Sequence, residues 1–383
     1  MERLVFLFSL TAIAVLHCMN TTPEFQEPSV ILQIGIAVLV TVWIFYFLIT
    51  RRSPPKDILF YVFAVFSFTC VIDIVSALEH DGFISGLMDF YQKTGEPYLG
   101  TSYGIMMCYW DGIVHFIMYL MMIQRLWNSK SYRTHGLFWA GSLLANMSVF
   151  VTGIVVGKFG SEIRPAFWLN MPFLLLPVWA AVRLFNKPKS GPSVGGYKAH
   201  YDQSFSLIWR PSDLILVLLL LGAMAFTLFR GLVALDSPLE ACSTYLHQYE
   251  PYLKDPVGYP KVMMLHFLFY LLPLLGAFVY GLIVPGCNWM PDWTVFIAGG
   301  VAQCQWAHIG ASLHPQTAAP FRIPDDTFLA VLAVNLLYSA IPLLTAWRCT
   351  SNTNFFLTIS KLPGMEGVPW VPDADTLVEK KRN

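Results

Sequence analysis

Residues 57–78 read DILFYVFAVFSFTCVIDIVSAL, an apolar run in which Asp73 is the only charge after the first residue. A transmembrane helix needs about 20 mostly apolar residues, and this run has that length. Nine similar runs accompany it, at about 3–19, 29–50, 103–126, 136–157, 165–186, 213–236, 262–284, 293–313 and 327–347. The pattern predicts an all-α polytopic membrane protein with about ten transmembrane helices. Composition agrees. Hydrophobic residues make up 56% of the 383 and charged residues 13%, against about 25% charged in an ordinary soluble domain. A soluble enzyme and a disordered chain are excluded. Lys+Arg and Asp+Glu both number 24, so no net field draws a phosphate backbone and no nucleic-acid partner is expected. Seven Cys without a CxxC suggest neither a disulfide framework nor a zinc site. No metal and no cofactor are expected.

Orientation follows from the basic residues, which favour cytosolic loops. With the N-terminus in the cytosol, 17 of the 24 Lys and Arg fall on that side, 6 fall opposite, and Arg230 lies within a helix. Both termini are therefore expected in the cytosol. The first run follows Glu2-Arg3, a start shared with signal peptides, but no small-x-small cleavage site precedes Asn20, so an uncleaved helix is expected. Asn20-Thr21-Thr22 is a glycosylation sequon close to that helix. The stretch 187–212, rich in Gly, Ser, Pro and Lys, reads as a linker, and 348–383 as a polar tail.

The chain repeats itself. Glu96-Pro97-Tyr98-Leu99 recurs as Glu250-Pro251-Tyr252-Leu253, Phe68-Thr69 as Phe226-Thr227, and Pro55-x-Asp57 as Pro211-x-Asp213. Asn170 stands seven residues before Pro177, as Asn335 does before Pro342. Matches in the same order predict two four-helix units, 57–186 and 213–347, with the first two helices outside. An even helix count makes the repeats parallel, related by an axis along the membrane normal. Each Pro frees a carbonyl within the bilayer that a neighbouring group must satisfy. Asn170 and Asn335 are candidates for such interhelical bonding.

A charged group at mid-bilayer needs a partner or a function. Asp73 lies near the non-cytosolic end of its helix, and Asp111 lies eight residues into the next. Thr69 precedes Asp73 by four and His115 follows Asp111 by four, so each pair shares a helix face. Arg230, His266 and His308 fall in the same half of the bilayer. Arg230 is also placed to snorkel or to pair with Asp236. Lone histidines such as His266 and His308 are equally explained as satisfied core groups. Trp110, Trp139, Trp168 and Trp179 are placed to wall a lipid cavity, although interface belts and core packing explain most membrane Trp. The candidate ligand-binding set is therefore Thr69, Asp73, Trp110, Asp111, His115, Asn170, Arg230, His266, His308 and Asn335, with Asp73 and Asp111 as the candidate acid/base pair. The final Lys380-Lys381-Arg382-Asn383 matches a di-lysine retrieval signal for the endoplasmic reticulum, read by a retrieval coat.

These residues support a resemblance. Glu96-Pro97-Tyr98-Leu99, Cys108-Tyr109-Trp110-Asp111-Gly112, Ser161-Glu162-Ile163-Arg164-Pro165-Ala166-Phe167, Phe229-Arg230-Gly231-Leu232, Tyr252-Leu253-Lys254-Asp255-Pro256 and His308-Ile309-Gly310-Ala311-Ser312 together resemble the transmembrane 6 superfamily over nearly the whole chain. The resemblance implies two EXPERA domains. The division is then an N-terminal helix pair at 1–55, EXPERA units at 56–186 and 212–347, a cytosolic linker at 187–211 and a cytosolic tail at 348–383. It implies residence in the endoplasmic reticulum and its intermediate compartment. It implies a role in triglyceride content, lipid droplets and lipoprotein secretion, with a membrane lipid or sterol and lipoprotein-assembly proteins as partners. The EXPERA fold also includes emopamil-binding protein, a sterol isomerase that works with acidic groups in a membrane cavity. Its His-x3-acid pattern corresponds here to Thr69-x3-Asp73, and its second acid to Asp111. The missing His argues against retained isomerase chemistry. In the second unit Gly231 falls at the first acid and His266 roughly at the second.

Overall fold

In a computed structural model of the chain, residues 1–188 and 196–358 are described, and their regular structure is helical throughout. Among them nine helices are long and apolar enough to cross a membrane. These are α1 (Glu2–Thr21), α2 (Pro28–Thr50), α3 (Leu59–His80), α4 (Ser102–Trp127), α5 (Arg133–Val156), α6 (Pro165–Asn186), α7 (Pro211–Ala234), α8 (Tyr259–Ile283) and α10 (Phe328–Ser351). The remaining predicted run, 293–313, forms a helix, α9 (Met290–Leu313), that does not meet this standard. All ten predicted runs are thus helical, and α9 is the most polar of them. The physical reason is its surroundings. Asp292, Gln303, Gln305 and His308 of α9 are all buried, and a helix solvated by neighbouring helices tolerates groups that hydrocarbon rejects. By contrast α2 turns Ile36, Val40, Trp43, Phe47 and Leu48 outward.

The centre of the molecule is the crossing of α5 and α9. Here two glycines let backbones touch, as small residues do between membrane helices. A Cβ on Gly141 would stand 1.8 Å from the Phe296 carbonyl oxygen, and one on Gly299 would stand 2.0 Å from that of Phe138. The contact is reciprocal, as a twofold axis between the two helices would make it. Arg133 clamps Asp292 at one end of the crossing, with Nη2 donating to Oδ2 at 2.9 Å and Nη1 to Oδ1.

The helices on either side are stitched in matching ways. Asp57, just before α3, accepts from Tyr132 Oη at 2.7 Å, from Lys187 Nζ at 2.5 Å and from Arg183 Nη2 at 3.4 Å. Burial raises the Asp57 carboxyl, but these donors outweigh it and leave the pKa below its ordinary value. Asp213, in the first turn of α7, accepts from Arg348 Nε at 2.6 Å and Nη2 at 3.0 Å. In each half, then, an acid at the start of the first helix holds a base near the end of the last. Both α4 and α8 widen into one π turn, at Asp111–His115 and Phe267–Leu271.

Part of the expected linker is structured. Residues Gly196–Ser204 form a helix, and Gln203 Nε2 donates to the carbonyls of Asn354 (3.1 Å) and Leu357 (2.7 Å). The start of the expected tail is packed as well. Phe355 and Phe356 are buried, with the Arg210 guanidinium 3.9 Å from the Phe355 ring centre. Lys380 and Lys381 lie outside the described residues. Asn20 of the sequon donates through Nδ2 to the Gly86 carbonyl at 2.8 Å.

Gly141→Ala and Gly299→Ala should each destabilise the protein by about 1–3 kcal/mol, because the new methyl meets backbone that cannot swing away. Gly222→Ala, in α7 with nothing within 4 Å of a Cβ, should be neutral or stabilise by up to about 1 kcal/mol. Thermal unfolding of the purified protein in detergent, followed by size exclusion, distinguishes the three.

Candidate functional site

A cavity lies between α1, α2, α3, α4, α5, α6 and the loop joining α3 to α4. Most of its wall is apolar: Leu16 and Met19 from α1, Ile31, Ile34 and Val38 from α2, and Phe173 from α6. Its polar groups are Thr69, Asp73 and Ser76 from α3, Asp111 from α4, Glu96 from the loop and Asn170 from the start of α6. The enclosed space is about 150 Å³, and a cavity of that order takes about one six-membered ring. Asp111 accepts from Gln303 Nε2 at 2.8 Å, and its Oδ1 lies 2.8 Å from His115 Nδ1. Among the described residues no hydrogen bond reaches the Asp73 carboxylate. Thr69 Oγ1 donates to the Phe66 carbonyl at 2.9 Å, back-bonding within its own helix.

Local sequence brings Glu96 inside. The chain turns through Tyr91–Gly95, extends at Glu96, and starts a 3-10 turn at Pro97, whose fixed φ suits a first helical position. Thr101 then caps α4, its Oγ1 accepting from the Gly104 amide at 3.1 Å. Glu96 is 4% exposed. It accepts from Tyr91 Oη and Tyr98 Oη, each at 2.5 Å, and from Asn170 Nδ2. Burial pushes its carboxyl above the ordinary glutamate value, and these three donors offset only part of that rise.

The second half repeats the backbone and changes the chemistry. Glu250 has φ −130° and ψ 69°, against −131° and 81° at Glu96. Asn335 Nδ2 donates to it at 2.7 Å, as Asn170 does to Glu96. Here, however, the interior holds Arg230, which is 1% exposed. Arg230 Nη2 reaches the two Glu250 oxygens at 3.2 and 3.0 Å and donates to His308 Nε2 at 2.7 Å. A guanidinium only donates, so His308 Nε2 is the acceptor and the ring is neutral. Burial opposes the Glu250 charge, but the Arg230 guanidinium holds its carboxyl well below the ordinary range. Arg230 therefore neither snorkels nor pairs with Asp236. That carboxylate takes Lys254 and, at 3.0 Å, Lys261, which lower its pKa.

The structure gathers Thr69, Asp73, Asp111 and Asn170 around the cavity, and Arg230, His308 and Asn335 in the second cluster. Asn170 and Asn335 address loop carboxylates and not the carbonyls freed by Pro177 and Pro342. Trp110 and His115 sit behind Asp111: Trp110 Nε1 donates to Ser142 Oγ at 3.2 Å and to His115 Nε2 at 3.3 Å. His266 joins neither cluster, its Nδ1 donating to the Val262 carbonyl at 3.0 Å. Sequence reasoning did not single out Glu96, Glu250 or Gln303 as site residues. The repeated Glu-Pro-Tyr-Leu was the signal for the first two, and nothing local marks Gln303.

Residues 11–195 match the family model described as Transmembrane 6 superfamily member 2-like, transmembrane domain. Transmembrane 6 superfamily member 2 of Homo sapiens is 44% identical over 348 residues, spanning 91% of this chain and 92% of its own. The same-named proteins of Rattus norvegicus and Mus musculus are 44% and 43% identical over 349 residues, with the same coverage. The chain belongs to the transmembrane 6 superfamily. No solved structure matches it. Within this superfamily member, the stretch matched by the family model contains the entire wall of the first cavity.

The two loop glutamates should respond oppositely to neutralisation. Glu250→Gln leaves Arg230 unpaired in the interior and should cost about 3–5 kcal/mol. Glu96→Gln removes a charge that burial already disfavours, and should stay within about 1 kcal/mol of wild type at neutral pH. The sign of the pH effect follows. A carboxyl whose folded pKa is raised loses stability as pH climbs from its ordinary value to the raised one. Wild type should show this loss on the alkaline side of pH 4.5, and Glu96→Gln should lack it. Melting temperatures across pH 4–8 provide the check.

Proposed function

We propose that this protein binds a sterol or another hydroxyl-bearing membrane lipid by its polar end in the first cavity. Through that binding it regulates how neutral lipid is loaded into lipoproteins or kept in droplets. The observation carrying the reading is the Asp73 carboxyl group, which lines a mostly apolar cavity with Glu96 and Asp111 and has no hydrogen-bond donor among the described residues. A ligand hydroxyl supplies that donor, and the cavity's volume suits the first ring of a larger molecule. The superfamily resemblance supports the lipid role, and the two halves are read as EXPERA units. The basic-residue count supports cytosolic termini. Lys380 and Lys381, read by a retrieval coat, support residence in the endoplasmic reticulum and its intermediate compartment. Proteins of lipoprotein assembly are the partners this role requires.

A second reading is favoured by one feature. Asp73 and Asp111 share the cavity, as an acid/base pair moving a sterol double bond would. Against it, Asp111 already accepts from Gln303 and neighbours His115, which holds it in place.

In membranes carrying a photoreactive sterol, Asp73→Asn should reduce labelling of the first cavity by about threefold to tenfold, the worth of one hydrogen bond. Undiminished labelling would refute the binding mode. Hepatocytes lacking the protein should recover triglyceride secretion with wild type and not with Asp73→Asn. A sterol precursor accumulating in the null cells and in Asp73→Asn, Asp111→Asn cells would move the enzymatic reading ahead.

A further inference from the structure

The reciprocal crossing of α5 and α9 generates two grooves on opposite sides, one against α4 and one against α8, and they are filled differently. The groove against α4 is closed by the protein itself. Trp110 and Trp306 lie across it with ring centres 6.1 Å apart. Beneath them Ser142 Oγ donates to Gln303 Oε1 at 2.6 Å, and Gln303 Nε2 donates to Asp111. Trp306 Nε1 donates to the Met106 carbonyl at 2.9 Å, which fixes that ring in place.

The groove against α8 has lost every one of these fillers. Matching Gly141 with Gly299, and the π turn at Asp111 with that at Phe267, pairs the positions one by one. Gly300 stands where Ser142 does, Ala145 where Gln303 does, Ser148 where Trp306 does and His266 where Trp110 does. What remains is a cavity of about 380 Å³ with a floor of Gly141, Ala145 and Gly300 and walls that include Phe267, Tyr270 and Phe296. It opens to the bilayer side, where Tyr270 is 68% exposed.

His266 is among the residues lining this space. His266 Nδ1 must be a donor, because its partner is the Val262 carbonyl, so in the neutral ring Nε2 carries a lone pair. Among the described residues no donor reaches it. Ser148 Oγ is turned back to the Leu144 carbonyl at 2.7 Å.

We propose that this groove is a second lipid site, separate from the cavity at Asp73, which takes a flat, fused-ring membrane lipid with its hydroxyl donating to His266 Nε2: a sterol. The occupant's shape is argued from the molecule's own solution on the other side, where two flat indoles occupy the matching volume. A floor without side-chain branches favours a rigid flat face over a flexible chain, which would gain less contact for the conformational freedom it loses. The site does not depend on the reading of the first cavity.

The test uses the full-length protein in phospholipid nanodiscs with an alkyne-tagged sterol bearing a ring diazirine, and adducts mapped by mass spectrometry. Adducts are expected on Leu144, Ala145, Ser148 or Val149, or on residues 266–274, whereas an adduct on Met147 reports the first cavity. Ser148→Trp, which restores the indole of the opposite groove, should reduce them at least tenfold while first-cavity adducts stay within twofold. If Ser148→Trp fails to fold, Ala145→Leu serves the same purpose. On wild type, cholesterol should compete at least fivefold better than its methyl ether, which has no donor for His266, and better than octadecanol. Absence of groove adducts, persistence of them in a folded filled variant, or equal competition by octadecanol or the ether would each overturn the proposal. Loss of first-cavity adducts alone would count only against the binding mode at Asp73.

Discussion

A carboxylate carried into a helix bundle on a loop must find its donors in the protein, because hydrocarbon supplies none. Glu96 and Glu250 are two such groups, and much of the architecture follows from satisfying them. Each sits before a Pro-led turn that folds the loop inward, and each accepts from an Asn on the last helix of its half. At the other end, Asp57 and Asp213 tie the start of the first helix to a base on the same last helix. Four helices whose last member is tied to the first at one end and to the glutamate-bearing loop at the other form a closed ring. The difference lies in charge. Glu250 has a guanidinium inside its ring and Glu96 has only hydroxyls and an amide, so the second ring is filled and the first retains space.

The rings meet along α5 and α9, where contact between Gly141, Gly299 and the facing carbonyls brings backbones closer than side chains would permit. That closeness explains the composition of α9. A helix surrounded by α5, α10 and α4 meets amides and carboxylates in place of lipid, so Gln303 can bond Ser142 on one side and Asp111 on another. The cavity and the interface are joined by this one side chain. Asp111, which lines the cavity, is held from across the crossing.

The helical class and nearly all the long helices were legible because apolar run length is a property of contiguous residues. The Glu-Pro-Tyr-Leu repeat and the two Asn-x6-Pro spacings were legible too, yet as separate signals. Only the folded chain shows that Asn170 and Glu96 are two ends of one bond, since a separation of 74 residues carries no local trace. Arg230 was read against Asp236, six residues on, although the long-range Glu250 was the better partner: a buried guanidinium needs a buried carboxylate, and Asp236 is solvated by Lys254 and Lys261. α9 shows the same limit. Its hydrophobic stretches were visible, while the neighbours that excuse its glutamines were not. His266 was grouped by depth with Arg230 and His308, and depth alone does not say which way a helix faces.

The vacancies in the two halves are complementary. In the first half the ring interior is open and the outer groove is sealed by Trp110 and Trp306. In the second the ring interior is sealed by Arg230 and the outer groove is open. Side-chain volume thus moves from one location to the other, and it is accompanied by its polar partners: Gln303 and Ser142 go with the indoles, Glu250 and His308 with the guanidinium. A membrane protein built of two similar rings gains nothing in packing from leaving either space empty, since a void forfeits dispersion contacts on its lining. The result is two spaces of different shape, one ending in carboxylates and one walled by aromatic rings over glycine and alanine.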